Sequence, residues 1–120
     1  MRTEALTRHE GGMWPWLSQR VTAVLVLVTI MVHLVLTHMF ASIPLTFDDI
    51  GDRLASVAVL INDVVLLLAV LFHGLNGFRM VVLDYWLTSS GSRRAFDTVL
   101  WIVGVAAAVY GIWALWVWVG

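Results

Sequence analysis

The sequence predicts an all-α integral membrane protein, and three observations predict it. The 120-residue chain is 61% hydrophobic and 12% charged, with a mean hydropathy of +0.91. A soluble domain carries roughly 45–50% apolar and about 25% charged residues, so this chain cannot cover a water-facing surface of its own. Three stretches each supply the ~20 apolar residues with which a helix crosses a ~30 Å hydrocarbon layer. Runs such as VTAVLVLVTIMVHLVL are continuously apolar, whereas a barrel strand alternates over about ten residues. Lipid-exposed backbone must satisfy its own hydrogen bonds, and that makes the spans helices.

Residues 1–12 are polar, with Glu4 and Glu10, and fit a cleavable signal peptide poorly because no small-residue cleavage site follows a short apolar core. Span one covers residues 17–41, entered by Trp14 and Trp16 and apolar from Val21 to Phe40. The loop after it, Pro44 to Arg53, sets Asp48, Asp49 and Asp52 against a single Arg53. Span two covers residues 54–82. The connector Thr88-Ser-Ser-Gly-Ser92 breaks helix. Span three covers residues 97–119, and Trp101, Trp113, Trp116 and Trp118 suit it as interfacial anchors. The chain is a single transmembrane domain, 1–120, without an internal repeat. Three helices make a thin bundle with little interior, so a partner subunit is expected.

Charge sets the orientation and removes several function classes. Arg2, Arg8 and Arg20 precede or open span one, and Arg79, Arg93 and Arg94 flank the second connection. Six of the seven arginines thus share one side, which predicts a cytoplasmic N-terminus and an external C-terminus. The net charge is −1, so no basic face exists for nucleic acid. Without cysteine there is no disulfide, no thiolate-held cluster or zinc, and no thiol nucleophile.

Titratable residues within a span are costly and usually face a protein interior or a cofactor. Here they are His33 and His38 in span one and Asp63 and His73 in span two, with Asn62 beside them. Asp63 is about nine residues into its span, so it and Asn62 read as outer-interface residues, and His38 as hydrated. His73 lies ~9 Å from Arg79 and ~28 Å from Leu54 along the helix, inside the hydrocarbon. A neutral imidazole there needs a hydrogen bond or a metal. Gly74 and Gly77 remove bulk where a flat ligand or a second helix must approach. Haem ligation and a hydrogen-bonded packing histidine are both open on spacing alone. His33, ~20 Å in from Arg20, differs in depth from His73 by about 10 Å, so one iron does not suit both. Each would draw its second axial ligand from another polypeptide. Arg20 and Arg79 suit haem propionates, which match guanidinium forks. Tyr85, with Asp84 behind it, suits hydrogen bonding to a quinone carbonyl. An ordinary belt of Arg, Tyr and Trp at the interface explains the same residues.

The segment His73-Gly-Leu-Asn-Gly-Phe-Arg-Met-Val-Val-Leu-Asp84-Tyr85 resembles the second-helix signature of the membrane-anchor subunits of succinate dehydrogenase (complex II) and the related fumarate reductases. The pattern is a histidine, glycines within the next turn, an arginine, and an Asp-Tyr pair starting eleven residues after the histidine. Trp16-Leu-Ser-Gln-Arg20-Val-Thr22-Ala23 is similar to the motif that opens the family's first helix. The Asp-Tyr pair resembles the D (small cytochrome b-type) anchor most, while Asn76-Gly77-Phe78-Arg79 is also similar to its partner C.

The resemblance implies that His73 is an axial ligand of haem b, and that His33 holds a second haem where two are present. It implies that Arg20 sits close to quinone and haem, and that Asp84 and Tyr85 line a quinone pocket. The implied partners are a second anchor subunit, an iron–sulfur subunit, a flavoprotein subunit and the quinone, in a prokaryotic cytoplasmic membrane. The chain itself would oxidise no succinate, having no dinucleotide fingerprint and no cysteine for clusters. Two other readings stay open: a cofactor-free structural subunit, and a cytochrome b-type anchor of another oxidoreductase.

Overall fold

The computed structural model describes residues 12–39, 46–87 and 89–119. Arg2, Glu4, Arg8 and Glu10, then Phe40 and Pro44, and Thr88 of the connector lie outside the described residues. Four helices follow one another: α1 (Met13–Leu34), continued by a π-helical turn (Val35–Met39), then α2 (Phe47–Leu54), α3 (Val57–Tyr85) and α4 (Ser90–Trp116). No strand occurs among the described residues. Three helical stretches are long and apolar enough to cross a membrane: Met13–Met39, Val57–Tyr85 and Ser90–Trp116. Their bounds differ by several residues from the expected spans: the first and third begin earlier, and the second begins and ends three residues later.

α1 starts behind Gly12, whose φ of +69° is a conformation open to glycine. Pro15 stands in the first turn, where its missing N–H would have had no helical partner. Towards the other end the helix widens into the π turn, and Arg53 of α2 donates to the Thr37 carbonyl there (2.6 Å). That closes one of the carbonyls a helix end leaves orphaned. The loop expected between the first two spans therefore contains a short helix. The cause is local: Thr46 and Asp49 form a capping box, the Thr46 hydroxyl accepting from Asp49 N (3.2 Å) and Asp49 Oδ2 accepting from Thr46 N (2.9 Å). Phe47 rests against Trp118 with ring centroids 5.5 Å apart, which ties α2 to the far end of α4. Ser89 caps α4 by accepting from Ser92 N (3.2 Å).

α3 is central, with α1 and α4 packed on it as antiparallel neighbours. Its contact with α1 uses Pro15, Gln19, Thr22, Thr29 and His33, three to four residues or a multiple apart on one α1 face. Its contact with α4 is a glycine seam. A β-carbon at Gly104 would stand 2.8 Å from Leu75, and one at Gly111 2.6 Å from Leu67. Each leucine thus fills the space a glycine leaves, the small-residue packing that lets membrane helices approach. Phe78 and Phe96 continue the seam (5.9 Å), and Arg79 and Asp97 close it. The buried residues among those described are Thr29 of α1 and Val59, Asp63, Ala69, Val82 and Leu83 of α3. The interior is thin, as three spans require.

Candidate functional site

Two polar layers cross the α1–α3 contact. The first surrounds His73. Gln19 of α1 donates through Nε2 to the His73 carbonyl (3.1 Å), and the same nitrogen lies 3.4 Å from His73 Nε2. Gln19 Oε1 accepts from Asn76 Nδ2 (2.8 Å), which also reaches the Pro15 carbonyl (3.3 Å). Thr22 Oγ1 lies 3.2 Å from His73 Nδ1. Gly77 makes the room: a β-carbon there would come within 2.9 Å of Gln19 Nε2, whereas one at Gly74 would meet nothing within 4 Å.

The second layer surrounds His33, ten residues along α3 from the first and so ~15 Å away. His33 Nδ1 donates to Asp63 Oδ1 (2.7 Å), and Asn62 Nδ2 donates to the same oxygen (3.2 Å) and to the Thr29 carbonyl (3.2 Å). Asn62 and Asp63, expected near the outer interface and open to water, are instead paired with α1. Asp63 is 7% exposed, and α1 covers it. Position along α3 predicted a wet carboxylate, but the face it occupies turns it into the helix contact. His38 is exposed, its ring edge-on to that of His33 at 6.0 Å.

The remaining site residues are spread over one end of the molecule. Arg20 is exposed, its guanidinium 3.6 Å from the centroid of the Trp16 ring, so it belongs to the surface of α1 and not to the His73 layer. Arg79 makes a two-pronged ion pair with Asp97, Nε to Oδ1 at 2.6 Å and Nη2 to Oδ2 at 3.0 Å. Asp84 and Tyr85 form the last turn of α3, both exposed, ~17–18 Å along the helix from His73. Tyr85 is 78% exposed. A groove of about 560 Å³ runs between the start of α1, α3 and α4, polar at the Asn76, Arg79 and Asp97 end and apolar along Leu75, Gly104 and Ala108.

The sequence matches the family described as the succinate dehydrogenase/fumarate reductase transmembrane subunit over residues 2–111. It is 32% identical over 99 residues to the succinate dehydrogenase 2 membrane subunit SdhC of Mycobacterium tuberculosis, covering 82% of this chain and 71% of that one. It is 31% identical over 102 residues to the succinate dehydrogenase hydrophobic membrane anchor subunit of Archaeoglobus fulgidus, covering 83% and 85% respectively. The chain belongs to the succinate dehydrogenase/fumarate reductase transmembrane-subunit family. As a family member with three membrane-length helices and with relatives in a bacterium and an archaeon, it is an integral protein of the prokaryotic cytoplasmic membrane.

In this anchor the residues that sequence reasoning missed are Gln19, Thr22, Asn76 and Asp97. Asn76 and Thr22 stood inside the quoted motifs without a role of their own. Gln19 precedes the apolar run that starts at Val21, so nothing in its position pointed to His73. Asp97, at the head of α4, could be matched to Arg79 only by knowing that the two helices run antiparallel.

Proposed function

We propose that this family member is the membrane anchor of a succinate:quinone oxidoreductase, that it binds haem b through His73, and that it presents Asp84 and Tyr85 to the quinone. One observation carries the haem assignment: the group facing His73 Nε2 is the Gln19 amide nitrogen, at 3.4 Å. That nitrogen is a donor, because it also approaches the His73 carbonyl while the amide oxygen takes Asn76. A donor facing the ring is matched by an Nε2 that holds its lone pair, which is the form that ligates iron. The contact is long for a hydrogen bond and so weak, and a metal at Nε2 would have to displace the Gln19 amide nitrogen while its oxygen keeps the Asn76 bond. The residues present fit the group.

A bound haem with two imidazole ligands supplies a one-electron carrier without an open iron site. The work of this chain is to hold the His73 ring between α1 and α3 and to keep that layer dry. A second imidazole would have to come from another polypeptide, because His33 differs in depth from His73. At the end of α3 the Tyr85 hydroxyl donates to a quinone oxygen, and Asp84 beside it passes protons from the surface as the ring is reduced. Arg79 is neutralised by Asp97, while Arg20, laid over Trp16, with Arg93 and Arg94 at the start of α4, outweighs Asp84 and makes this end positive. With the N-terminus in the cytoplasm, the same end faces the iron–sulfur and flavoprotein subunits. The Asp-Tyr pair favours the D-type anchor. One haem, on His73, is the reading proposed; Asp63 engages His33 at Nδ1 and would leave that ring's Nε2 for a second.

In the purified complex, His73→Ala removes the bis-imidazole spectrum, and an unchanged spectrum overturns the haem assignment. Tyr85→Phe keeps the haem and lowers quinone reductase activity about tenfold, the worth of one good hydrogen bond. Full activity in that variant removes the quinone role from Tyr85. A second haem that disappears in His33→Ala extends ligation to His33.

A further inference from the structure

We infer that Thr22 is a positioning residue that fixes the tautomer of His73 and thereby selects Nε2 as the nitrogen offered to a metal. Its geometry stands on the structure alone, and its use rests on the haem proposal above. Thr22 Oγ1 lies 2.7 Å from the Ser18 carbonyl oxygen, with the Gln19 carbonyl further off at 3.3 Å. Two oxygens come that close when a proton lies between them, and a carbonyl has none to give. The single hydroxyl proton of Thr22 is therefore spent on Ser18.

Towards His73 Nδ1, 3.2 Å away, Thr22 can then offer nothing but a lone pair. Nδ1 must carry the ring proton. A neutral imidazole has one N–H, so Nε2 is bare. The opposite edge of the ring is compatible with this, since the Gln19 amide presents a donor to Nε2, but at 3.4 Å that contact is too long to set the tautomer without Thr22. An acceptor on one nitrogen and a donor on the other leave one tautomer that satisfies both.

What holds the hydroxyl is the backbone of α1 itself, one turn earlier, and not a ligand. The tautomer is thus set in the chain before any porphyrin arrives. Donation from Nδ1 to the Thr22 oxygen also makes the ring a better electron donor at Nε2, the part that outer hydrogen-bond acceptors play for metal-bound histidines. Thr22 touches neither the metal position nor the quinone end, and acts through His73.

The test uses full-length chain with 15N-labelled histidine in lipid nanodiscs, haem-free, together with the assembled complex. Nitrogen NMR is expected to show His73 protonated at Nδ1 in the wild type. Thr22→Val keeps the side-chain shape and removes the acceptor; it is expected to lose that preference and to weaken haem retention about tenfold. Thr22→Ser is expected to keep both. A wild-type His73 protonated at Nε2, or a Thr22→Val chain that keeps the Nδ1 proton, overturns the inference. A changed tautomer with haem retention unaltered overturns the role towards the metal. The spectrum of His73→Ala reports separately on whether the haem proposal holds, so the two failures are distinguishable.

Discussion

Asp63 shows how far a residue can be from what its position suggests. It is the seventh residue of α3, where depth alone predicts contact with headgroups, yet it is buried against α1 with His33 and Asn62 on one oxygen. Removing it leaves an imidazole N–H and an amide N–H without an acceptor in a dry contact. Hydrogen bonds between membrane helices are worth about 0.6 kcal/mol on average and up to about 1.7. Asp63→Ala should therefore destabilise the detergent-solubilised complex by about 1–2 kcal/mol, read from its thermal unfolding midpoint, because two bonds go at once. Asp63→Asn, which keeps an acceptor, should lose less. At this scale His73 was legible, because an imidazole deep in an apolar span is conspicuous by itself. Its neighbours were not, since Gln19, Thr22 and Asn76 acquire meaning by meeting across two helices far apart in sequence.

Among the elements, the long helices were legible and α2 was not. Apolar length marks a span, whereas α2 is eight residues of mixed character, FDDIGDRL. Its signal was chemical: Thr46 followed three residues later by Asp49, a carboxylate version of the capping box. The Thr46 hydroxyl first, and then the Thr46 backbone N–H, hold the Asp49 carboxyl below the usual carboxylate range. A lowered carboxylate stabilises the folded form at pH values above its unfolded pKa, and that contribution goes as the pH falls through the lowered folded value. The α2 cap should thus be intact at neutral and mildly acidic pH and begin to fray below about pH 4. Amide exchange of residues 47–54, followed downwards from pH 6, checks this. In Asp49→Asn the acid-dependent fraying should be absent. The glycine seam of α3 and α4 is a second feature hidden from the sequence, because Gly104 and Gly111 gain their purpose from Leu75 and Leu67 opposite.

The whole molecule is elongated, 65 × 26 × 21 Å, with α3 as its spine. That arrangement explains why a chain so apolar encloses so little: most side chains of α1 and α4 face outwards, to lipid or to a companion. Three spans alone made a companion subunit expected. The placing of α1 and α4 on α3 was not, because nothing in the composition of a span says which of its faces meets which neighbour.

The threonines of α1 carry a consequence for how the chain is made. Thr22, Thr29 and Thr37 each return their hydroxyl proton to a carbonyl one turn earlier, on Ser18, Leu25 and His33. Those three groups are content in oil from the moment their helix exists. Asn62, Asp63, His73 and Asn76 instead lean on atoms of α1 for their bonds. Gln19 and His33 aside, synthesis from the N-terminus therefore delivers the helix whose hydroxyls are already satisfied before the one whose polar groups depend on it.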